Sequence, residues 1–582
     1  MGSKAESQPA QRLADARAAA SSFFVSTFRE ERIFLILSVF IGVFSGLAVV
    51  CFRFTIEWCR IYLLGSGTSL SPVRIFLAPA LSGLVISFLV IHFFPRARGS
   101  GVNQTKAALY IFNGYIPFRT AVGKFITAAL AIGSGFSLGP EDPSLQIGAC
   151  IASAIGINMR LSRERMRLIA PVGAAAGLAA AFNAPISAVL FVIEEVIGRW
   201  TAGILGSVVL SAISSVVVMR WFLGSESMFR IPPVELKRPS ELIAYAILGI
   251  IGGVASVVFS SSIGFLRPRF RDLPQWSQYI QPAVAGLLIG LIGYLGAPQV
   301  MGAGYEYMDQ AIHGQFTWQF LAILAGLKIL ATILSFVSGT PGGMFAPTLF
   351  IGAMLGAAVG GAQHAIFPQL NWSPGTYALV GMGVLFAGFL RVPMTSVFMV
   401  LEVSGNYSII LPVIIANTFA YVISRALQPV PIFDVLTRQD GMELPSMEEQ
   451  REESILRVED AMRAPSCPVL EAHDSIERAQ QSFETCTEET LLVRLRPHGW
   501  SSISREEVQV FLREGKESES VGSLVQSRAI PSLHPDLPLD TALRYVDRFH
   551  MIPVVNRANV RELEGVVTKR DVLDRYRDFG GE

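Results

Sequence analysis

Long uninterrupted stretches of apolar residues dominate the first three quarters of the chain. Runs at 33–54, 75–94, 121–132, 145–157, 168–181, 186–193 and 204–222 predict one series of helices. Runs at 242–266, 280–295, 320–336, 347–366, 377–389, 392–401 and 409–423 predict a second. Helices that are apolar on every side lie in lipid or deep in a large core. Several of these runs fall short of the ~20 residues that a straight membrane span requires. Tilted helices and helices that stop inside the membrane are therefore expected, and hydropathy alone does not fix a topology.

The most unusual stretch is Gly133–Gly148, GSGFSLGPEDPSLQIG. Glycines, Pro140 and Pro143 break helices, yet the stretch lies in apolar sequence and carries two adjacent acids, Glu141 and Asp142. Broken backbone at membrane depth is tolerated where it lines a cavity or is buried in protein. The stretch also has a second copy. KFITAALAIGSGFSLGPEDPSLQIGA from Lys124 aligns with KILATILSFVSGTPGGMFAPTLFIGA from Lys328, an offset of 204 residues. Gly135 falls on Gly339, Gly139 on Gly343, Pro143 on Pro347, and Glu141 opposite Phe345. Gly99-Ser100-Gly101 pairs with Gly302-Ala303-Gly304, and Asn183 through Glu194 pairs with Arg391 through Glu402.

Duplicated Gly/Pro-interrupted segments point to an ion or substrate site between two repeats. Each copy would offer a helix N-terminus, whose free N–H groups favour an anion. Close helix packing through small residues accounts for isolated glycines. It does not account for matched Gly/Pro blocks in register.

Composition fits a membrane protein with a separate soluble part. The chain has 582 residues, 51% hydrophobic and 16% charged. A formal net charge of +1 gives no reason to expect nucleic acid. The cysteines at 51, 59, 150, 467 and 486 show neither a disulfide framework nor metal spacing. The polar start is too long for a cleavable signal peptide. Residues 1–31 read as an amphipathic surface helix or as disorder. The boundaries drawn are a membrane part at 32–428, with repeats near 33–222 and 240–427, a linker at 429–457 and a soluble tail at 458–582. Basic clusters at Arg96–Arg98, Arg160–Arg167 and Arg267–Arg271 are candidate cytoplasmic or headgroup anchors.

The tail contains two similar halves, each ending in strand then helix, LVRLRPHGWSSISREEVQVFL and MIPVVNRANVRELEGVVTKRDVLDRY. It resembles a tandem CBS-domain pair. With GSGVN at Gly99, GPEDP at Gly139, FNAPISAVLFVIEE ending at Glu195, GGMFAP at Gly342 and IFDVL after Pro431, the whole chain resembles the CLC family of chloride channels and proton-coupled chloride transporters. The resemblance implies an all-α polytopic fold of two inverted-topology repeats with broken, tilted helices, plus a soluble α+β pair.

It also implies roles. Ser100, Gly101 and the amides around Met344 and Phe345 would bind the anion, and Phe433 would close the site from inside. Glu141 would be the gate and Glu195 the inner proton relay, whereas Glu194, matched by Glu402, reads as structural. Thr568 and Asp571, with Ser504 in the looser first half, would meet an adenine nucleotide, although a strand-end Thr and a helix-capping Asp read equally well as local structure. No cofactor is required.

Three departures from the family pattern matter. Pro140 replaces a basic residue and Asp142 a glycine beside the gate, so the outer mouth should attract anions less. Val102-Asn103 stands where a proline is usual. Phe433 stands where tyrosine is usual, which implies weaker central binding and looser coupling.

The resulting expectation is a chloride/proton antiporter, not an enzyme: a multi-pass homodimer in the lipid bilayer, its termini and CBS pair cytosolic, in the cell membrane if prokaryotic. The rivals are a passive anion channel of the same fold and a membrane nucleotide sensor without anion flux.

Overall fold

The computed structural model describes residues 7–65, 72–198, 202–229, 241–368, 373–442, 444, 456–486, 488–495, 499–525, 528–557 and 559–579. These fall into two units, Met1–Ser446 and Met447–Glu582. The division lies within the stretch read as a linker.

In the first unit the two series of apolar runs become two series of helices. The first is α1 (Ser7–Leu64), α2 (Pro72–His92), α3 (Gly101–Tyr110), α4 (Phe118–Gly133), α5 (Glu141–Asn158), α6 (Arg163–Phe182), α7 (Pro185–Phe191) and α8 (Ala202–Leu223). The second is α9 (Glu241–Arg271), α10 (Ser277–Tyr294), α11 (Tyr305–Ile312), α12 (Trp318–Val337), α13 (Phe345–Ile366), α14 (Pro374–Leu390), α15 (Pro393–Ser404) and α16 (Ile410–Leu427), and α17 (Ile432–Gln439) follows. Among the described residues, eight helical stretches are long and apolar enough to cross a membrane. Others, such as α4 and α7, are shorter, as the interrupted runs predicted.

Hydropathy missed α3, α11 and α17, which are too short and too polar to register. The expected linker therefore contains a helix that belongs to the membrane unit, with Phe433 and Leu436 of α17 buried there. The segment read as a surface helix or disorder is helical from Ser7 and runs without a break into the first span; residues 1–6 lie outside the described residues.

The repeats match in backbone detail. After α4 and α12 the chain turns through Gly135 (φ +106°) and Gly339 (φ +83°), a region that L side chains rarely adopt. Asn183 and Arg391 end α6 and α14 in the left-handed conformation at φ 56° and 62°. A Cβ on Gly148 would fall 2.2 Å from the Gly173 carbonyl oxygen, and one on Gly352 2.3 Å from that of Gly381. So α5 packs backbone-to-backbone on α6, and α13 does the same on α14. Small residues therefore serve packing as well as interruption.

The second unit holds a three-stranded sheet, β1 (Leu470–Glu471), β2 (Thr490–Arg494) and β3 (Trp500–Ser504), and a two-stranded sheet, β4 (Met551–Val555) and β5 (Leu563–Thr568). Each antiparallel hairpin, β2–β3 and β4–β5, leads directly into a helix, Arg505–Arg513 or Lys569–Phe579. Leu492, Trp500, Met551 and Val566 form a buried cluster shared by both halves. Cys467 and Cys486, for which the spacing suggested no pairing, are joined in a disulfide with Cα atoms 5.7 Å apart. The fold of the first half brings them together across 19 residues.

Candidate functional site

The two interrupted stretches meet. The Gly139 N–H donates to the Gly343 carbonyl (2.8 Å), and the Gly343 N–H donates back to the Gly139 carbonyl (2.9 Å). These glycines are counterparts in the repeat, so the bridge lies on the two-fold relation between the halves. Immediately after it, α5 begins at Glu141 and α13 at Phe345. Pro143 and Pro347 sit in the first turns, where the missing N–H would have had no helical partner.

Glu141 is fully buried. Its Oε2 accepts from the Ala346 N–H of α13 (3.3 Å), and its Oε1 accepts from the Tyr305 hydroxyl at the start of α11. The amides of Met344 and Phe345 at the same helix end have no acceptor among the described residues. The Phe345 ring lies within 5.0–6.4 Å of the rings of Phe191, Phe386, Phe182 and Phe433. The start of α13 thus combines open backbone donors with an aromatic surround.

Asp142 turns the other way. Its Oδ1 accepts from the Ser100 hydroxyl (3.1 Å) and the Val102 N–H (3.0 Å), and its Oδ2 accepts from the Gly101 N–H (2.9 Å). Ser100 and Gly101, expected to face an anion, here donate to a carboxylate of the chain itself. Phe433 is tied to the same helix, since the Asn103 side-chain amide donates to its carbonyl (3.0 Å).

The cavity beside the gate carries charges of both signs. Pro140 and Tyr305 line a cavity of about 600 Å³ that also contains Arg53 and Arg60 of α1, along with Glu57, Glu226 and Glu306. Arg53 is near enough for its charge to act on Glu141. A cation thus lies near the gate on another helix, Arg60 is paired with Glu57 (2.6 Å), and Asp142 is not among the residues lining this cavity. A second cavity, about 460 Å³, gathers Arg96, Arg98, Arg267 and Arg271 beside Gly99. Two of the basic clusters singled out in the sequence thus share one opening.

Glu195 lies with Glu194 on a π-helical turn, Val192–Ile197, that follows α7. Such turns recur at functional sites. Glu194 caps α15, accepting from the Thr395 N–H (2.8 Å) and hydroxyl (2.6 Å). Glu402 on α15 returns the arrangement, accepting from the Ile186 N–H (2.9 Å) and Ser187 N–H (2.8 Å) of α7. Glu195 instead meets the Lys106 ammonium of α3 (2.9 Å), which also holds Asp434 of α17 (3.2 Å).

Tyr305, Lys106 and Asp434 were not picked out in the sequence. For the two charges a signal existed, because ionisable groups in membrane segments need partners and mark function. Tyr305 gave none.

In the tail, the Thr568 hydroxyl donates to Asp571 (2.7 Å), and Arg463 binds the same carboxylate (3.2 Å). Ser504 and Glu507 form a reciprocal capping box at the next helix. Among the described residues no hydrogen bond joins Ser504 to Thr568, and no cluster suits a metal ion.

Comparison with known proteins gives a consistent picture. The voltage gated chloride channel family profile matches residues 82–425, and the CBS domain profile matches 521–578. The H(+)/Cl(-) exchange transporter ClcA of Salmonella typhi is 33% identical over 419 residues, covering 69% of this chain and 87% of the relative. The same figures hold for ClcA of Salmonella newport (strain SL254). Among solved structures, a slow cyanobacterial Cl-/H+ antiporter is similar at TM-score 0.64 and 25% identity, covering 72% of this chain and 99% of that one. A eukaryotic CLC transporter is similar at TM-score 0.60 and 20% identity, covering 92% and 97%. The last likeness is one of fold alone.

Proposed function

The chain belongs to the voltage gated chloride channel family, and on that footing we propose that it is an antiporter that moves chloride across a membrane in exchange for protons. It is a multi-pass membrane protein and not an enzyme. The observation that carries the proposal is the carboxylate of Glu141, buried on the N-terminus of α13 where an anion would otherwise sit.

When ionised, Glu141 takes the Ala346 amide and the Tyr305 hydroxyl. When protonated it no longer competes as an anion and leaves the helix end to chloride, which the amides of Met344, Phe345 and Ala346 would then bind. These are dipoles without a fixed cation, so binding is favourable and still weak enough to release. One side chain thereby links proton and chloride occupancy, because a bound anion favours the neutral carboxyl and the neutral carboxyl frees the anion site. Ser100, Gly101 and Phe433 form the inner boundary. Glu195 passes protons between the inside and Glu141. The arginine-lined cavity beside Gly99 serves as the inner mouth.

A passive anion channel stays in view for one reason. Glu195 is paired with the Lys106 ammonium, an ion pair that a proton on Glu195 would break, and Phe433 removes one hydroxyl from the anion site. The two readings separate in proteoliposomes of the full chain. Under antiport, an imposed chloride gradient drives protons uphill. Chloride flux without proton movement establishes the channel, and no chloride flux at all leaves only a sensor.

In the same proposal the chain works as a homodimer, with both termini and the CBS pair in the cytosol. An adenine nucleotide at that pair would meet Thr568, Asp571 and Ser504 after Arg463 releases Asp571. Absence of any heat on titrating ATP into the purified protein would remove that part.

A further inference from the structure

We infer that Asp142 is a second tethered carboxylate of the transport path: it occupies the donors at the N-terminus of α3, and a halide reaches them only when it is displaced. The inference rests on the anion-transport reading and deepens it.

Three donors converge on this one carboxylate, the Ser100 hydroxyl and the Gly101 and Val102 amides, all within 3.1 Å. The group is 2% exposed, and among the described residues it makes no ion pair. Its nearest ammonium influence is Lys124, whose Nζ is held by the carbonyls of Ala97 (3.1 Å) and Gly99 (2.6 Å). Dipoles make every direct contact with Asp142, and the Lys124 charge adds its pull from beyond bonding distance. Adjacent residues thus cover two converging helix ends, Glu141 that of α13 and Asp142 that of α3.

A purely structural cap is the alternative, and the duplication argues against it. Several scaffold contacts in this fold come in two-fold pairs. Glu194 caps α15 as Glu402 caps α7. Lys124 binds the carbonyls before α3, as Lys328 binds those of Val300 (2.9 Å) and Gly302 (2.8 Å) before α11. Asp142 has no counterpart, because Ala346 stands at its equivalent position and α11 begins with no side-chain cap. Nor does α3 need a second cap, since the Ser100 hydroxyl already accepts from the Val102 N–H (3.2 Å).

An unpartnered amide oxygen lies beside the site. Gln146 is fully buried next to Gly101, and its Oε1 has no partner among the described residues. Turned over, the amide would present N–H groups there at the expense of the hydrogen bond it donates to the Gln104 side-chain oxygen.

The test compares chloride binding to the full-length protein by calorimetry in wild type, Asp142→Gly, Ser100→Ala and the double variant. Removing the competing carboxylate should tighten chloride binding about tenfold, and Ser100→Ala should weaken it about fivefold more in the Asp142→Gly background than in wild type, by the worth of charge-assisted hydrogen bonds. Bromide-soaked crystals should show anomalous density at the α3 N-terminus in the Asp142→Gly variant alone. Unchanged or weaker binding in Asp142→Gly, or an equal effect of Ser100→Ala in both backgrounds, overturns the inference. If Asp142→Gly does not fold, Asp142→Asn keeps the shape and removes the charge, and the same tightening is required of it. Chloride-driven proton flux in the wild type judges the transport reading separately, so flux with no effect of Asp142 sinks this inference alone.

Discussion

The two halves of the membrane unit share their backbone and differ in their chemistry. At the first interruption the helix opens with Glu141 and Asp142; at the second, with Phe345 and Ala346. The turns, the prolines and the left-handed residues coincide. Features present in both halves hold the fold: the Glu194 and Glu402 caps, the Lys124 and Lys328 anchors and the glycine contacts. Features present in one half do the work. Both carboxylates at the interruptions come from the first repeat, and the second repeat gives Glu141 its amide and its hydroxyl. Duplication thus supplied two converging helix ends, and divergence gave one of them the acids.

Glu141→Gln tests this division most severely. The neutral amide cannot titrate, so proton flux should stop while chloride flux continues, measured side by side in vesicles. Proton pumping that survives would mean the acidic half is not where coupling resides. Next in size is Lys106, buried between Glu195 and Asp434. Lys106→Met leaves two carboxylates without their cation and should destabilise the protein by about 3–5 kcal/mol. Asp309, at the matching position of the second half, is half exposed beside His313, so Asp309→Asn should change stability by no more than about 0.5 kcal/mol. Thermal unfolding in detergent reads both. Smallest is the symmetric pair. Glu194→Gln and Glu402→Gln each weaken hydrogen bonds to a charged cap and should cost about 1–3 kcal/mol, equal in the two cases. Unequal losses would show that one of the caps has been recruited beyond scaffolding.

Much of this was legible in the chain itself. Uniform apolar runs marked the spans, and Gly/Pro blocks in register marked the interruptions, because few residues tolerate those backbone angles. The placement of Glu141 opposite Phe345 followed from the same register. What the sequence hid were contacts that depend on direction. Asp142 follows Glu141 immediately, yet successive residues on a helix point about 100° apart, so it serves a different helix end. Lys106, Glu195 and Asp434 lie far apart along the chain and meet only when α3, the π turn and α17 pack together. The cation near the gate was sought next to it and comes from α1. In the tail, Thr568 and Asp571 carry a pattern that a nucleotide and a helix cap both satisfy, and only their bonds to each other and to Arg463 reveal the second use.

The reciprocal pair of hydrogen bonds between Gly139 and Gly343 has a consequence for descent. A residue that bonds to its own counterpart across a two-fold relation makes the kind of contact found where identical subunits meet. Two separate half-length polypeptides could therefore form the same clasp without any change in sequence at that point. With the halves inverted, such a polypeptide would have to insert into the membrane facing both ways. Fusion of the genes would then have fixed the orientation of a pairing that already existed.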